Sequence, residues 1–343
     1  MGLLQLQRLI SSRSDRRHRP RRGKRNHKPC VQDDEASRAV KKMACVGPSL
    51  PEDIWHHIHS LLPLQDAARA ACVSHAFKKS WRCRPNLTFS PETLNFNKNQ
   101  YNEGEEISAD MSTQLVERIN RIVSKHDGTG LKALKLELLN CPDIDNFDLS
   151  CWLIFAFKSQ VEELSLWLHS DFTEVYNFPL RLLSEGEGNS LRSLHLSCCG
   201  LRPVPGLGCL TNLSILELYD VCISGDDLGC VLSSSLALEE LHLMDCSEII
   251  CLEIPCLLHQ LSHLVVSECE NLDVIQSKAP NLSSFIYSGD EVQFSFGNSL
   301  QNLKIMGSGW DEIVGHARER LPHMVPKLEY LDICTSFEYT LKL

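Results

Sequence analysis

The stretch LEELHLMDC, Leu238 to Cys246, decides how most of this chain folds. Leu238, Leu241 and Leu243 are apolar, His242 and Met244 alternate with them, and Cys246 closes the run. The same order, apolar-x-x-apolar-x-apolar-x-x-variable, starts at Leu131, Leu134, Leu136 with Leu139. It returns at Val161, Leu164, Leu166, then at Leu191, Leu194, Leu196 with Cys199, and at Leu213, Leu216, Leu218 with Val221. After Cys246 come Leu261, Leu264, Val266 with Cys269, a weaker Leu282, Phe285, Tyr287, then Leu300, Leu303, Ile305 and Leu328, Leu331, Ile333. Successive starts are 30, 30, 22, 25, 23, 21, 18 and 28 residues apart. The alternating apolar residues of each short strand point the same way. One copy cannot bury them, so neighbours stack and share a continuous core.

Most of these spacings lie in or near the window of about 20–29 residues that marks leucine-rich repeats. The fold class is therefore an α/β (α+β) solenoid, a horseshoe over residues 131–343. The 30-residue copies have room for a helix, and the 18-residue copy only for turns. Cys199, Cys246 and Cys269 fall at the template's Asn/Cys position, where a small buried group packs beneath the turn. Outward positions include Lys135, Glu137, Ser165, Trp167, His195, Glu217, Tyr219, His242, Met244, Lys304 and Met306. Exposed Trp, Tyr and Met are common interface anchors. Trp167, Tyr219 and Met244, flanked by His195 and His242, are the candidate target-binding residues. Trp167 packing against neighbouring repeats is the competing reading.

Upstream, Leu50 to Trp81 reads LPEDIWHHIHSLLPLQDAARAACVSHAFKKSW. Pro51 suits a first helical turn, and Glu52 and Asp53 place negative charge at the positive end of the helix dipole. Ile54, Ile58, Leu61 and Leu62 form one apolar face, and Pro63 stops the helix. Asp66 is the candidate N-cap of a second helix over 67–72, and Ser74 starts a third that carries Phe77 and Trp81. So small a unit can hardly bury a full core alone, which predicts that it rests against another chain or domain.

Leu50-Pro51, Ile54, Ile58, the run Leu61 to Leu64, Asp66, Ala70, Val73-Ser74 and Trp81 resemble an F-box. With the extension Phe77 to Ser90 and the repeats, the chain is similar to plant F-box proteins with leucine-rich repeats. The resemblance implies a substrate receptor of a cullin–RING ubiquitin ligase, with the F-box docking a Skp-type adaptor and through it the cullin and RING subunits. It implies that Leu50, Pro51, Ile54, Ile58, Leu61, Leu62, Pro63 and Leu64 supply much of the adaptor contact, although some must hold the helices together. It implies that the repeats hold an unknown target protein. His56, His57 and His59 depart from the family's pattern and read as a solvent-facing or adaptor-facing cluster.

Charge is unevenly spread. Of the 34 Lys and Arg, ten lie in residues 1–32 against one of the 44 acids, Asp15, so the remainder carries 24 basic and 43 acidic side chains. A body so acidic is a poor nucleic-acid surface and fits a basic or apolar target. It also argues against the inositol-phosphate-type anion pocket of some plant receptors. Residues 1–45, with RRHRPRRGKR at 16–25, are expected to be a disordered basic tail, either a nuclear import signal or a plain solvated tail. Met43 is a candidate alternative start. No run of about eighteen apolar residues exists to span a membrane.

The sixteen cysteines, with no apolar signal segment at the N-terminus, read as reduced thiols of the nucleus and/or cytoplasm. Residues 48–90 form the F-box, and 91–130 a linker plus a capping helix. That helix is expected to start at Ser112 or Thr113, bury Leu115, Ile119, Ile122 and Val123, and shield the first repeat. The last template closes near Ser336, which predicts a truncated solenoid with an exposed last repeat. No phosphate loop, dinucleotide fingerprint or nucleophile elbow is found, and no cofactor is implied. Cys246, Cys251 and Cys256 as metal ligands are disfavoured, because no Cys-x-x-Cys occurs and the repeat already accounts for Cys246. A ligase-independent repeat scaffold, and a nucleic-acid partner recruited by the tail, are the alternative functions.

Overall fold

The computed structural model describes residues 50–96, 106–141, 143–169, 175–184, 190–203, 210–297, 299–307, 325–335 and 340–342, all within the compact unit Leu50–Leu343. The basic tail, Met43 and Ser336, where the last template is expected to close, lie outside the described residues.

Three helices open the unit: α1 (Glu52–Leu61), α2 (Leu64–Val73) and α3 (His75–Arg82). Ser74 caps α3 by accepting from the Phe77 N–H, as its position before an apolar run predicts. Asp66 does not cap α2. Pro63 takes that place and Asp66 sits in the first turn, because a proline ends one helix and presets the backbone for the next.

The main sheet has eleven strands in the order β1, β2, β3, β4, β5, β6, β8, β10, β12, β13, β14. They are β1 (Asn86–Phe89), β2 (Ala133–Glu137), β3 (Glu163–Trp167), β4 (Ser193–Ser197), β5 (Ile215–Tyr219), β6 (Glu240–Met244), β8 (His263–Ser267), β10 (Ser284–Ser288), β12 (Asn302–Gly307), β13 (Tyr330–Thr335) and β14 (Thr340–Lys342). All pairs from β1 to β13 are parallel, and β14 closes antiparallel on β13. The inward residues align across strands, Leu164 with Leu194, Leu216 with Leu241, Leu264 with Phe285, and are buried as the stacking argument requires. This is a leucine-rich-repeat solenoid preceded by a helical motif.

Between the strands lie α5 (Asn146–Lys158), the short α6 (Arg181–Ser184) and α7 (Gly225–Ser233). A second, three-stranded sheet pairs β7 (Cys251–Ile254), β9 (Val274–Ser277) and β11 (Gln293–Ser295). The 18-residue copy thus carries strand β11 rather than turns alone, because the neighbouring strand β9 offers its backbone groups for pairing.

Four further expectations are corrected. Helix α4 (Ala109–Val123) is capped by Ser108, not by Ser112 or Thr113, and the earlier start carries Met111 and Ser112 into the interior. The first edge of the sheet is β1, while α4 packs beside α5, where Asn120 accepts from Trp152 Nε1 at 2.7 Å and donates to Asp148 at 3.2 Å. Leu139 is exposed, because the strand's alternation runs on through buried Leu138 to buried Cys141. Residues 91–96, expected as linker, bury Leu94 and Phe96 in the core, with Arg118 stacked 4.2 Å from the Phe96 ring.

Candidate functional site

The helical motif holds itself together through its inner face. Trp55 meets Phe77 edge-on at 5.1 Å, and His59 lies between Phe77 at 5.6 Å and Trp81 at 6.1 Å. His59 is fully buried and its Nε2–H donates to Ala67 O at 3.1 Å. The expected solvent- or adaptor-facing histidine is therefore a core residue: the aromatic stack supplies its contacts and the Ala67 carbonyl its hydrogen bond. Arg84 spans the end of α1, donating to His59 O at 3.0 Å and Leu62 O at 2.7 Å, and ties it to β1 through Asn86 O at 3.2 Å.

With the inner face packed by its own aromatic side chains, apolar residues on and just before α1 look outward. Leu50 and Ile54 are each 39% exposed and Leu61 is 71% exposed. Pro51 and Pro63 are exposed as well, while Ile58, Leu62 and Leu64 are half-buried and Leu64 packs on the solenoid core. Ile54 and Leu61, seven residues apart, share one side of the helix. Val73, quoted in the motif but not among the expected adaptor contacts, is 86% exposed.

Burial pushes the His59 imidazole below its usual range, and Arg84 and His56 add to that direction. As pH falls through about 6.5 the unfolded chain takes up a proton that the folded unit resists. The unfolded state then binds more protons, so stability falls on acidification. His126, also lowered by burial, acts with the same sign. The unfolding midpoint should fall between pH 7.5 and 5, and His59→Gln, which can still donate to Ala67 O, should show a shallower fall. Equal slopes for the two proteins in denaturant titrations would refute the assignment.

The second surface is the outward face of the main sheet. Its register places Trp167, Ser197, Tyr219 and Met244 in one row and His195, Glu217 and His242 in the next. All five candidate target-binding residues are thus brought together. Adjacent strands are about 4.8 Å apart, yet Trp167 and Tyr219, two strands apart, have ring centroids only 6.4 Å from each other. The rings lean together over the small, buried Ser197. Trp167 is thus packed against Tyr219 on one side, as the competing reading has it, and stays half-buried rather than enclosed.

Sequence reasoning missed a polar chain on this face. Ser193 Oγ–H donates to His195 Nε2 at 2.6 Å, and His195 Nδ1–H donates to Glu217 at 2.6 Å. Glu217 also faces His242 Nδ1 at 3.4 Å. The order resembles a hydrolytic triad, but residues 22 apart in sequence meet only through strand register, so no local motif announces it. Catalysis also needs donors aimed at an oxyanion. Here the nearby backbone N–H groups are spent on the ladder, Ser193 N on Glu162 O and Ile215 N on Arg192 O.

The thiols are placed as structure. Cys246 Sγ lies 3.4 Å from Met244 O and Cys269 Sγ 3.6 Å from Ser267 O. Burial pushes the Cys141 thiol up to about 12 and raises Cys199 further. Cys251 lies on β7 and Cys256 is exposed beyond it. Among the described residues, no group of three His, Cys, Asp or Glu stands at metal-binding spacing, and no helix is long and apolar enough to cross a membrane.

Residues 48–88 match the F-box domain, and residues 122–342 match the leucine-rich-repeat domain described as At1g61320/AtMIF1. The chain belongs to the F-box/leucine-rich-repeat family. Arabidopsis thaliana F-box/LRR-repeat protein At5g02910 is 27% identical over 226 residues, covering 66% of this chain and 43% of the relative. F-box/LRR-repeat protein At3g03360 is 26% identical, covering 61% and 42%. FBD-associated F-box protein At5g56370, from the same organism, is 24% identical, covering 79% and 56%. The chain thus spans about two-fifths of the length of the first two. F-box/leucine-rich-repeat proteins are in general adaptor-bound receptors without a catalytic centre of their own.

Proposed function

We propose that this chain is the substrate-recognition subunit of a Skp–cullin–F-box ubiquitin ligase, and that it performs no bond chemistry itself. The observation that carries the proposal is the outward set of Leu50, Ile54 and Leu61 on a helical motif whose inner face is packed by its own aromatic side chains. Exposed contiguous apolar surface on a small unit marks a partner site. Leu50, Pro51, Ile54, Leu61 and Pro63 contact the adaptor, while Ile58, Leu62 and Leu64 mainly hold the helices and the solenoid together. The target docks on the outward sheet face around Trp167, His195, Tyr219, His242 and Met244. Holding it there raises the local concentration of its lysines beside a charged ubiquitin-conjugating enzyme. Such work belongs to the nucleus and/or cytoplasm, where the ligase operates.

A pull-down with a purified Skp-type adaptor tests the proposal. Wild type should bind, and Leu50→Ala/Pro51→Ala should lose most of the signal. Folded wild type that fails to bind would leave the second reading, a ligase-independent scaffold that uses only its repeats.

A further inference from the structure

At the C-terminal ends of the strands the chain turns sharply, and each turn residue adopts a left-handed backbone: Cys198 at φ 53°, Asp220 at 50°, Asp245 at 55° and Glu268 at 52°. The N–H of each donates to the last carbonyl of the following strand, Cys198 to Tyr219 O, Asp220 to Met244 O, Asp245 to Ser267 O and Glu268 to Ser288 O. The turns are therefore locked in step with the strands. Three successive carboxyl-bearing residues line the sheet's rim at the strand pitch of about 4.8 Å.

Elsewhere on this face several acids stand beside a basic side chain. Lys135 pairs with Glu163 and Lys304 with Asp332, and the imidazoles of His195 and His242 stand beside Glu217 and Glu240. Among the described residues no Lys, Arg or His pairs with Asp220, Asp245 or Glu268. Asp220 and Asp245 instead line a groove of about 470 Å³ with Leu139, Asn140, His169, Cys198 and Tyr219. Tyr219 forms one wall and leans on Trp167. The Asp245 carboxylate beside the Tyr219 hydroxyl raises it above its usual range.

We infer that this groove receives an arginine side chain from an extended basic segment of the target, with its guanidinium stacked on Tyr219 and paired with Asp220 and Asp245. A guanidinium is planar, lies well on aromatic faces and can pair with two carboxylates at once. Glu268, one strand further along the rim, receives the next basic residue. The inference rests on the proposed target-binding role of this face and names the chemistry of what binds.

The test is fluorescence anisotropy on the full chain with a labelled glycine–serine decapeptide carrying three evenly spaced arginines, and the same peptide with citrulline. The arginine peptide should bind with an affinity that falls as salt rises, and citrulline should cost at least tenfold. Asp220→Asn/Asp245→Asn should weaken the arginine peptide at least tenfold without changing the melting temperature. Glu239→Gln/Glu253→Gln removes as many charges from exposed sites away from the groove and should leave affinity unchanged. Equal losses in the two double variants would mean attraction to net charge alone and would overturn the inference, as would equal binding of citrulline. A neutral leucine–tyrosine peptide that binds in place of the arginine one, and is lost on Tyr219→Ala, would overturn the cationic class while leaving the face as the docking surface. The adaptor pull-down does not involve this groove, so its failure would strike the receptor role separately.

Discussion

Leu61→Asp should raise the dissociation constant for a Skp-type adaptor at least a hundredfold while leaving the fold intact. Leu61 is 71% exposed, so the carboxylate is solvated in the free protein and removes little packing. In the complex the loss of a buried leucine costs about 2 kcal/mol, and an unpaired carboxylate against an apolar surface adds more. Each 1.4 kcal/mol is about tenfold, so the two effects exceed a hundredfold together. Ile54→Asp, on the same side of α1, should behave alike. The half-buried Leu64 packs on the solenoid core, so Leu64→Asp should instead lower the unfolding midpoint. Titration calorimetry with the purified adaptor, beside a thermal melt of each variant, separates the two effects. Leu61→Asp that binds within a few-fold of wild type would remove α1's outward stripe from the adaptor contact.

The largest loss of stability should come from Trp152→Ala, on the order of 4 kcal/mol. The ring is fully buried, and its Nε1–H bridges α5 to Asn120 of α4. Truncation opens a cavity and also leaves the half-buried Asn120 side-chain carbonyl short of a donor. A whole domain is worth only about 5–15 kcal/mol, so this change approaches global unfolding. Trp152→Phe keeps most of the volume and should cost markedly less. Because each repeat leans on its neighbours, hydrogen exchange should show the loss first at β2 and β3, which flank α5. A fall of less than about 1.5 kcal/mol in denaturant titrations would mean that the site collapses around the missing ring.

The repeats were readable because each places leucines at offsets that only a stacked strand can bury, as at Leu216 and Leu218 or Leu241 and Leu243. Strand β1 was less readable. Leu87 and Phe89 are buried and pair with Leu134 and Leu136, but their repeat lacks the leading leucine and follows directly on the helices. His59 was misplaced because a histidine in an apolar stripe carries the same letter whether it is buried or wet. What decides is the aromatic pair, Phe77 and Trp81, supplied by another helix.

The candidate sites divide the same way. The five residues around Trp167 could be picked from alternation alone, since odd and even strand positions face opposite sides. Their partners could not. The Ser193–His195–Glu217 chain, the contact of Trp167 with Tyr219 over Ser197, and the carboxylates of Asp220, Asp245 and Glu268 along one rim depend on register between strands 20 to 30 residues apart. By itself the sequence determined the stacked-strand solenoid, the helical motif before it and the acidity of the folded body, because periodicity and charge are local properties of the chain. Tertiary structure alone decided which side of α1 stays open and which acids meet without a cation, because both follow from what neighbouring elements cover.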